Sequence, residues 1–295
     1  MSFSQVSYRI DQERRAKFCG TASLRVKALR FSEPDSIGGQ ASDRRSVEPL
    51  KRMFREEKGY RKEDNRHHAK AIISPDVLAV TLLDAGIQAE RLRNETEPYA
   101  ELEIPPGTQL ECLQRYDRVA AADEAFDGID KRWVVDLFLD DLSEELRRLF
   151  VEEHDYQKAP DDGKFYRKIR EYQGIHGQKN QYFERLWLGQ LSAISRNRRD
   201  LFEQLKRHDA YLKAFDDLLD IPALFCGFRL TVIHQMISMR CEELNLAHLK
   251  LILDKWRQIC GNDKRKMRRI GKEAIEALQG TAPGACSADY TSLLG

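Results

Sequence analysis

The sequence lacks any long apolar run. Along its 295 residues, no stretch approaches the roughly 18 consecutive apolar residues that a membrane-spanning helix needs. The opening MSFSQVSYRIDQERRAKF also has no uninterrupted apolar segment of the kind that a secretory signal contains. We therefore expect a chain that neither inserts into a membrane nor enters the secretory pathway.

Paired cysteines are absent too. No two of the six cysteines form a CxxC pair, the spacing typical of zinc sites and thiol redox centres. The cysteines are Cys19, Cys112, Cys226, Cys241, Cys260 and Cys286. Small secreted domains that depend on disulfides carry a higher density of cysteine than this chain. We expect reduced thiols and a nuclear or cytoplasmic localisation.

An excess of charge of one sign is missing as well. The formal net charge is +1, although 33% of the residues are charged and 41% are hydrophobic. This composition is typical of a globular, well-solvated chain and excludes an intrinsically disordered one. Because the net charge is so small, any surface that binds nucleic acid must be local.

The signatures of several common enzyme classes do not occur. The chain has no GxSxG motif, P-loop, HExxH motif or kinase signature. Adjacent His67 and His68 follow Asp64, but without a spaced third ligand they indicate a metal only weakly. The sequence therefore assigns neither a catalytic residue nor a metal site.

Residue periodicity divides the chain into two main parts. Residues 1–23 are polar and aperiodic, which predicts a flexible arm. Residues 24–150 alternate between strand-like and helix-like patterns, which predicts a small mixed α+β domain. The predicted strands lie at 23–31, 69–73, 109–113 and 132–139, and the helices at 46–54, 74–86 and 119–126. The strand at 132–139 is the strongest, because every second residue is apolar and Asp136 lies on the opposite face.

The second part has the pattern of helices alone. After Ser143 the apolar residues recur at helical spacing, and short polar breaks separate the stripes. We expect an all-α region over residues 151–280, containing a helix-turn-helix-like unit. Residues 281–295 are predicted to form a frayed tail.

Five segments together resemble the ParB/sulfiredoxin-like superfamily, and one of them, Val134–Leu139, matches the strand after its phosphate motif. Ser46–Ile73 resembles the opening helix, loop and short strand of ParB-like domains. Leu110–Ala122 (LECLQRYDRVAAA) stands where that superfamily has its strand-to-helix phosphate motif. Phe150–Ile169 is similar to the ParB segment that ends in an aromatic–Arg helix, and Asp220–Met236 to the helices after the helix-turn-helix. The layout is closest to an uncharacterised fungal family with a ParB-like core, often carried in large mobile elements.

The resemblance implies a pocket for CTP or ATP. In it, Arg118 and Arg115 would contact the triphosphate, and Glu153 and Lys158 would line the same pocket. However, Gln114–Arg118 contains no glycine, although a phosphate cradled by backbone N–H groups needs close backbone approach. Asp117 would also repel a phosphate. We therefore predict a degenerate pocket, and the alternative is that Arg118 pairs with Asp117 or a nearby acid and stabilises a helix start.

The reductase chemistry of sulfiredoxins is not expected. That family has its reactive cysteine directly before His-Arg at the same junction, where this chain has Tyr116 before Asp117-Arg118. Cys112 falls inside the preceding strand, where burial would raise its pKa and make it unreactive.

Basic residues accumulate in the helical part. Between Lys164 and Lys213 there are twelve Lys and Arg against five Asp and Glu, a local net charge of +7. A second basic run occupies residues 264–269, with Met267 facing inward. The candidate nucleic-acid contacts are Lys179, Arg185, Arg196, Arg198, Arg199, Lys206, Arg207, Lys264, Arg265, Lys266, Arg268 and Arg269. The alternative for both runs is a solvated helix face.

Three functions remain open at this point. The first is a nucleic-acid-associated ParB-like protein. Its expected partner is DNA, it is compatible with a homodimer, and it has no membrane partner. The second is a switch that hydrolyses CTP or ATP. The third is a non-catalytic scaffold, or a decaying cargo protein of a mobile element.

Overall fold

A computed structural model of the chain describes residues 2–31, 44–56, 64–93, 98–126, 131–157 and 159–280. The chain divides at residues 158–159 into two compact units, which are the first and second unit below. This division lies later than the predicted boundary at residue 150, because a helix that continues to residue 157 belongs to the first unit.

The first unit contains a six-stranded mixed sheet. Its strands are β1 (Phe18–Arg25), β2 (Leu29–Phe31), β3 (Ala69–Ile73), β4 (Ala100–Leu102), β5 (Leu110–Cys112) and β6 (Arg132–Leu139). Their order in the sheet is β2-β5-β3-β6-β1-β4. The two longest strands, β1 and β6, pair in antiparallel register with Leu24 opposite Trp133. The predicted α+β class is confirmed for this unit.

Helices lie on both faces of this sheet. They are α1 (Phe3–Lys17), α2 (Arg44–Glu56), α3 (Pro75–Ala85), α4 (Ala89–Arg93), α5 (Tyr116–Ala125) and α6 (Glu144–Gln157). On one face, Phe54 of α2 packs against Trp133 with ring centroids 5.6 Å apart. On the other, Phe150 of α6 packs against Phe138 at 4.7 Å. Alternation along β6 thus supplies apolar side chains to two separate layers.

The N-terminal segment differs from the sequence-based expectation. The predicted flexible arm, residues 1–23, instead contains α1 and most of β1. Helix α1 begins with a capping box, in which Ser2 and Gln5 exchange side-chain and backbone hydrogen bonds. Ile10 is its one fully buried residue. Periodicity could not reveal this helix, because ion pairs to distant residues hold much of it in place.

Two short elements also escaped prediction. Strand β4 has three residues, so it shows no readable alternation, and it forms only through parallel pairing with β1. Helix α4 packs against β1 at Gly20, where φ is +131° and a Cβ atom would lie 2.3 Å from the Leu92 backbone. Glycine is therefore required where α4 crosses the strand.

Within the described residues, the second unit has helices and no strand. The helices are α7 (Asp162–Tyr172), α8 (Gln181–Ile194), α9 (Arg196–Leu205), α10 (Asp209–Leu218), α11 (Leu230–Ser238), α12 (Glu242–Ile259), α13 (Lys264–Arg269) and α14 (Lys272–Gly280). A 3₁₀ segment, Pro222–Gly227, precedes α11. Among the described helices, none is both long and apolar enough to cross a membrane.

Aromatic side chains form the core of the second unit. Tyr166 stacks on Phe225 with ring centroids 5.4 Å apart, and Phe165 meets Trp187 edge to face. Gly163 permits this packing, because a Cβ atom there would lie 1.8 Å from the Phe225 carbonyl oxygen. The predicted all-α class is confirmed for these residues, whereas the predicted tail at 281–295 lies outside them.

Candidate functional site

Glu153 is the centre of a polar cluster in the first unit. One of its carboxylate oxygens accepts a hydrogen bond from Arg14 at 2.7 Å, and the other accepts one from Lys70 at 2.8 Å. Lys70 also lies 4.6 Å from the centroid of the Phe150 ring. Burial lowers the pKa of the Lys70 amine, and the negative charge of Glu153 opposes that shift. The carboxylate therefore already has two cationic partners.

Gln114 extends this cluster to the start of α5. Its side chain is buried. In the amide orientation that satisfies both atoms, its nitrogen donates to the Phe150 carbonyl at 3.2 Å and its oxygen accepts from Lys70 at 3.3 Å. Gln114 therefore links β3, α5 and α6 through polar contacts.

Arg115 stands at the strand-to-helix junction and has an unusual backbone conformation. Its φ of +70° places it in the left-handed region, where glycine is the residue that fits without strain. Its guanidinium group donates to the carbonyl of Arg66 and to the side-chain oxygen of Gln157. Burial lowers the pKa of Arg115, and the neighbouring charge of Arg118 lowers it further. The junction thus keeps a glycine-like backbone without a glycine.

The structure brings part of the predicted pocket together. Glu153 and Gln157 are four residues apart on α6, so they share one face of the helix, and Lys70 and Arg115 reach that face. Arg118 is close enough to Arg115 to affect its titration. The remaining predicted residue, Lys158, lies outside the described residues. Whether Arg118 pairs with Asp117 stays a prediction.

Arg14 and Lys70 were not predicted as members of this cluster. Lys70 carried a readable signal, because it is the one charged residue within the apolar strand Ala69–Ile73. Arg14 carried none, since it lies 139 residues from Glu153. Its role depends on the packing of α1 against α6, which no local pattern reveals.

Asp136 organises a second polar group on the same sheet face. One of its oxygens accepts from the Thr21 hydroxyl at 3.0 Å and lies 2.9 Å from Nδ1 of the buried His68. His68 was a weak metal candidate in the sequence. Among the residues that the structure describes, no three His, Cys, Asp or Glu side chains are arranged to hold a metal ion.

The thiol of Cys112 is deeply buried at the end of β5. Burial raises its pKa to about 12, so the nucleophilic thiolate is scarce near neutral pH. The predicted burial of Cys112 is confirmed, and its low reactivity stays a prediction.

Several predicted nucleic-acid contacts have acidic partners within the second unit. Arg198 lies 3.4 Å from the buried carboxylate of Asp162. Arg199 pairs with Glu203 at 3.2 Å, and Lys206 pairs with the same carboxylate at 3.1 Å. Arg199 also donates to the Leu188 carbonyl at 3.0 Å, which joins α9 to α8. Part of the basic run therefore supports the fold.

Other cations of the same run face solvent. Lys179, Arg196 and Arg207 are exposed, and over the described part of the chain their side chains have no ion pair or hydrogen bond. Arg185 is exposed too, but it does contact another residue. Arg196 is the first residue of α9.

Helix α13 divides its cations in a similar way. Lys264 lies 3.1 Å and Arg268 lies 3.8 Å from the buried carboxylate of Asp220. The other three predicted contacts on this helix are exposed, and they are Arg265, Lys266 and Arg269. Met267 is buried, as predicted.

One groove in the second unit was not predicted. It has a volume of about 510 Å³, and its lining includes Arg170, His176, Lys213 and Asp216. Arg170 and the Tyr166 hydroxyl both donate to Asp216 at 2.8 Å. Burial raises the pKa of Tyr166. These contacts hold α7 against α10, which is a structural role.

Two family domains match the chain. The domain described as "Protein of unknown function (DUF3723) N-terminal domain" matches residues 17–156, and the one described as "Protein of unknown function (DUF3723) central domain" matches residues 162–295. The gap between the two matches coincides with the division between the two units. No curated protein and no solved structure matches the chain.

Proposed function

The chain belongs to the DUF3723 family, and we propose that it is a nucleic-acid-associated protein that binds the phosphate backbone through its second unit. One observation carries this proposal. The first four residues of α9 include three arginines, Arg196, Arg198 and Arg199, and no acid. The N-terminal end of a helix has a partial positive charge, so it favours anions and disfavours cations.

The three arginines differ in their partners. Arg198 and Arg199 have carboxylate partners inside the unit, which offset their charge. Arg196 has no such partner among the described residues and is exposed. A nucleic-acid phosphate would supply the missing negative charge at this helix end.

Further exposed cations favour an extended polyanion over a single small anion. Lys179 and Arg207 lie before α8 and after α9, and Arg265, Lys266 and Arg269 project from α13. Neutralising several phosphates at once is what gives basic surfaces most of their affinity for nucleic acid.

The proposal assigns the helix-turn-helix-like unit to α9 and α10. Three residues, Lys206 to His208, separate these helices, a link of the length typical of that motif. The basic end of α9 and this link would then meet the same strand of nucleic acid.

The proposal also includes a ParB-like first unit with a degenerate nucleotide pocket. The mixed sheet and the junction between β5 and α5 support the likeness. The partners of Glu153 and Arg115 support the degeneracy, because both side chains already bind groups of the protein itself. The resemblance to a fungal family carried in mobile elements, and with it a nuclear site of action, belongs to this proposal.

A salt titration tests the nucleic-acid assignment. The triple variant Lys179→Ala, Arg196→Ala, Arg207→Ala should bind a mixed-sequence DNA duplex more weakly. Its plot of log affinity against log salt should be shallower by about 0.9 for each phosphate that the variant no longer neutralises. Arg91→Ala is the matched control, since Arg91 is an exposed cation of the first unit. An unchanged slope in the triple variant, or no binding by the natural chain at low salt, would refute the proposal.

A second candidate function rests on one observation, the proximity of Arg115 and Arg118. Two neighbouring, partly buried guanidinium groups would suit a triphosphate, as a CTP- or ATP-dependent switch requires. Thermal denaturation with and without millimolar CTP or ATP separates the two proposals, because a ligand that binds only the folded state raises the melting temperature. A degenerate pocket predicts no shift, and a clear rise would favour the switch.

A further inference from the structure

Helix α12 presents an apolar stripe that is exposed in the part of the chain that the structure describes. Leu249 and Leu253 point into the unit and are buried. On the opposite side, Leu244 is 71% exposed and Leu251 is 53% exposed. Exposed Ala247 lies between them. Residues seven apart on a helix are two turns apart on one face, so these three side chains form a single row.

This row has the spacing of a helix-packing seam. Scattered exposed leucines are ordinary on protein surfaces. Two leucines one heptad apart, with a small residue midway, are instead the pattern against which another helix packs. The small side chain of Ala247 would let the two helix backbones approach closely at the centre of the seam.

The charges beside the seam identify what covers it. Glu243 and Lys250 each precede one of the exposed leucines, so both lie on the same flank. Both are exposed, and within the part of the chain that the structure describes neither has an ion-pair partner. In a symmetric antiparallel pair of helices, each flank of one helix faces the same flank of the other helix. The acid of one copy then faces the base of the other.

We propose that α12 binds the α12 of a second copy of this chain in antiparallel orientation. A twofold axis near Ala247 satisfies both sets of contacts. It packs Leu244 of each copy against Leu251 of the other, and it pairs Glu243 of each copy with Lys250 of the other. Such an interface is isologous, so every favourable contact occurs twice. The area is small, and the dimer is accordingly weak and concentration-dependent. This inference does not depend on nucleic-acid binding.

Single charge reversals test the orientation. Glu243→Lys brings lysine against lysine in both symmetric pairs, and Lys250→Glu brings glutamate against glutamate. Each variant alone should therefore remain monomeric in sedimentation velocity at concentrations where the natural chain dimerises. An equimolar mixture of the two should recover the dimer, because a mixed pair has opposite charges at both contacts. A mixture that stays monomeric would overturn the antiparallel assignment.

A second pair of variants tests the seam itself. Leu251→Asp should abolish the dimer with no change in melting temperature, because the side chain is exposed. The matched control is Leu83→Asp on α3, whose leucine is 81% exposed, and this variant should dimerise as the natural chain does. The proposal fails if the natural chain is monomeric at its solubility limit, or if Leu251→Asp dimerises unchanged. If the natural chain is monomeric, the seam is not covered by a second copy of this chain. If Leu251→Asp dimerises unchanged, the dimer uses a different surface.

Discussion

The Lys70 amine lies 2.8 Å from Glu153 and is largely buried. Glu153→Gln would remove the negative charge and leave a single side-chain oxygen at this position to accept from both Lys70 and Arg14 in a poorly hydrated site. We expect Glu153→Gln to destabilise the chain by about 2 kcal/mol, less than for a fully buried pair because Glu153 and Arg14 keep some solvent contact. Urea denaturation measures this loss.

The matched control removes both charges together. Lys70→Met with Glu153→Leu should lose less stability than Glu153→Gln alone, because the more buried cation is removed together with its acceptor, and Arg14 is exposed enough to be hydrated. Equal losses in the two variants would contradict a stabilising role for the pair.

Gly163 tests the packing of α7 in the second unit. Gly163→Ala drives a methyl group into the Phe225 carbonyl, so we expect a loss of at least about 3 kcal/mol or a chain that does not accumulate folded. Gly189→Ala is the control, because this glycine lies within α8 with no neighbour close to its added Cβ. It should stabilise the protein by roughly 0.5–1 kcal/mol. Similar behaviour of the two variants would contradict the packing at Gly163.

Burial of Cys112 makes the free energy of unfolding depend on pH in the alkaline range. Its thiol has a pKa of about 12 in the folded chain and an ordinary value of 9.0. Between these values the folded chain holds a proton that the unfolded chain has lost, so stability falls as the pH rises. From about pH 8 to about pH 10, this group should remove about 1 kcal/mol.

Comparison of two cysteine variants isolates that contribution. Cys112→Ala should flatten the alkaline decline measured by urea denaturation, whatever its effect at neutral pH. Cys241→Ala, which changes an exposed cysteine, should keep the decline of the natural chain. An identical decline in both variants would rule out Cys112 as the source.

Alanine variants of Arg199 and Arg196 should separate an effect on stability from an effect on DNA binding. Arg199 joins α9 to α8 through the Leu188 carbonyl and Glu203, so Arg199→Ala should lower stability by about 1 kcal/mol. Arg196→Ala should not lower the melting temperature, because a helix N-terminus disfavours a cation, and it should weaken DNA binding. The assignment of roles is wrong if Arg196→Ala lowers the melting temperature as much as Arg199→Ala does.

The strands and helices that were predicted well have local causes. Strand β6 matches the prediction residue for residue, because six of its eight residues are apolar. Helix α3 has a serine cap at Ser74 and ends at Gly86, whose φ of +64° is left-handed. In each case the signal lies within a few residues of the element that it specifies.

The candidate site was only partly predictable for a related reason. Glu153 and Arg115 were found through resemblance, whereas Arg14 and Lys70 contact Glu153 across 139 and 83 residues. The partners of Arg198 and Arg199 were missed too. A lysine or arginine that faces solvent cannot be distinguished in the sequence from one that pairs with a carboxylate, because the pairing depends on tertiary packing.

The pairing of β1 with β6 has a consequence for synthesis on the ribosome. Residues 18–25 emerge early, but their central antiparallel neighbour, residues 132–139, follows more than a hundred residues later. Until then an apolar strand edge stays open, and non-local pairing of this kind folds slowly and invites aggregation. We therefore expect the growing chain to be most prone to aggregation before residues 132–139 have been made.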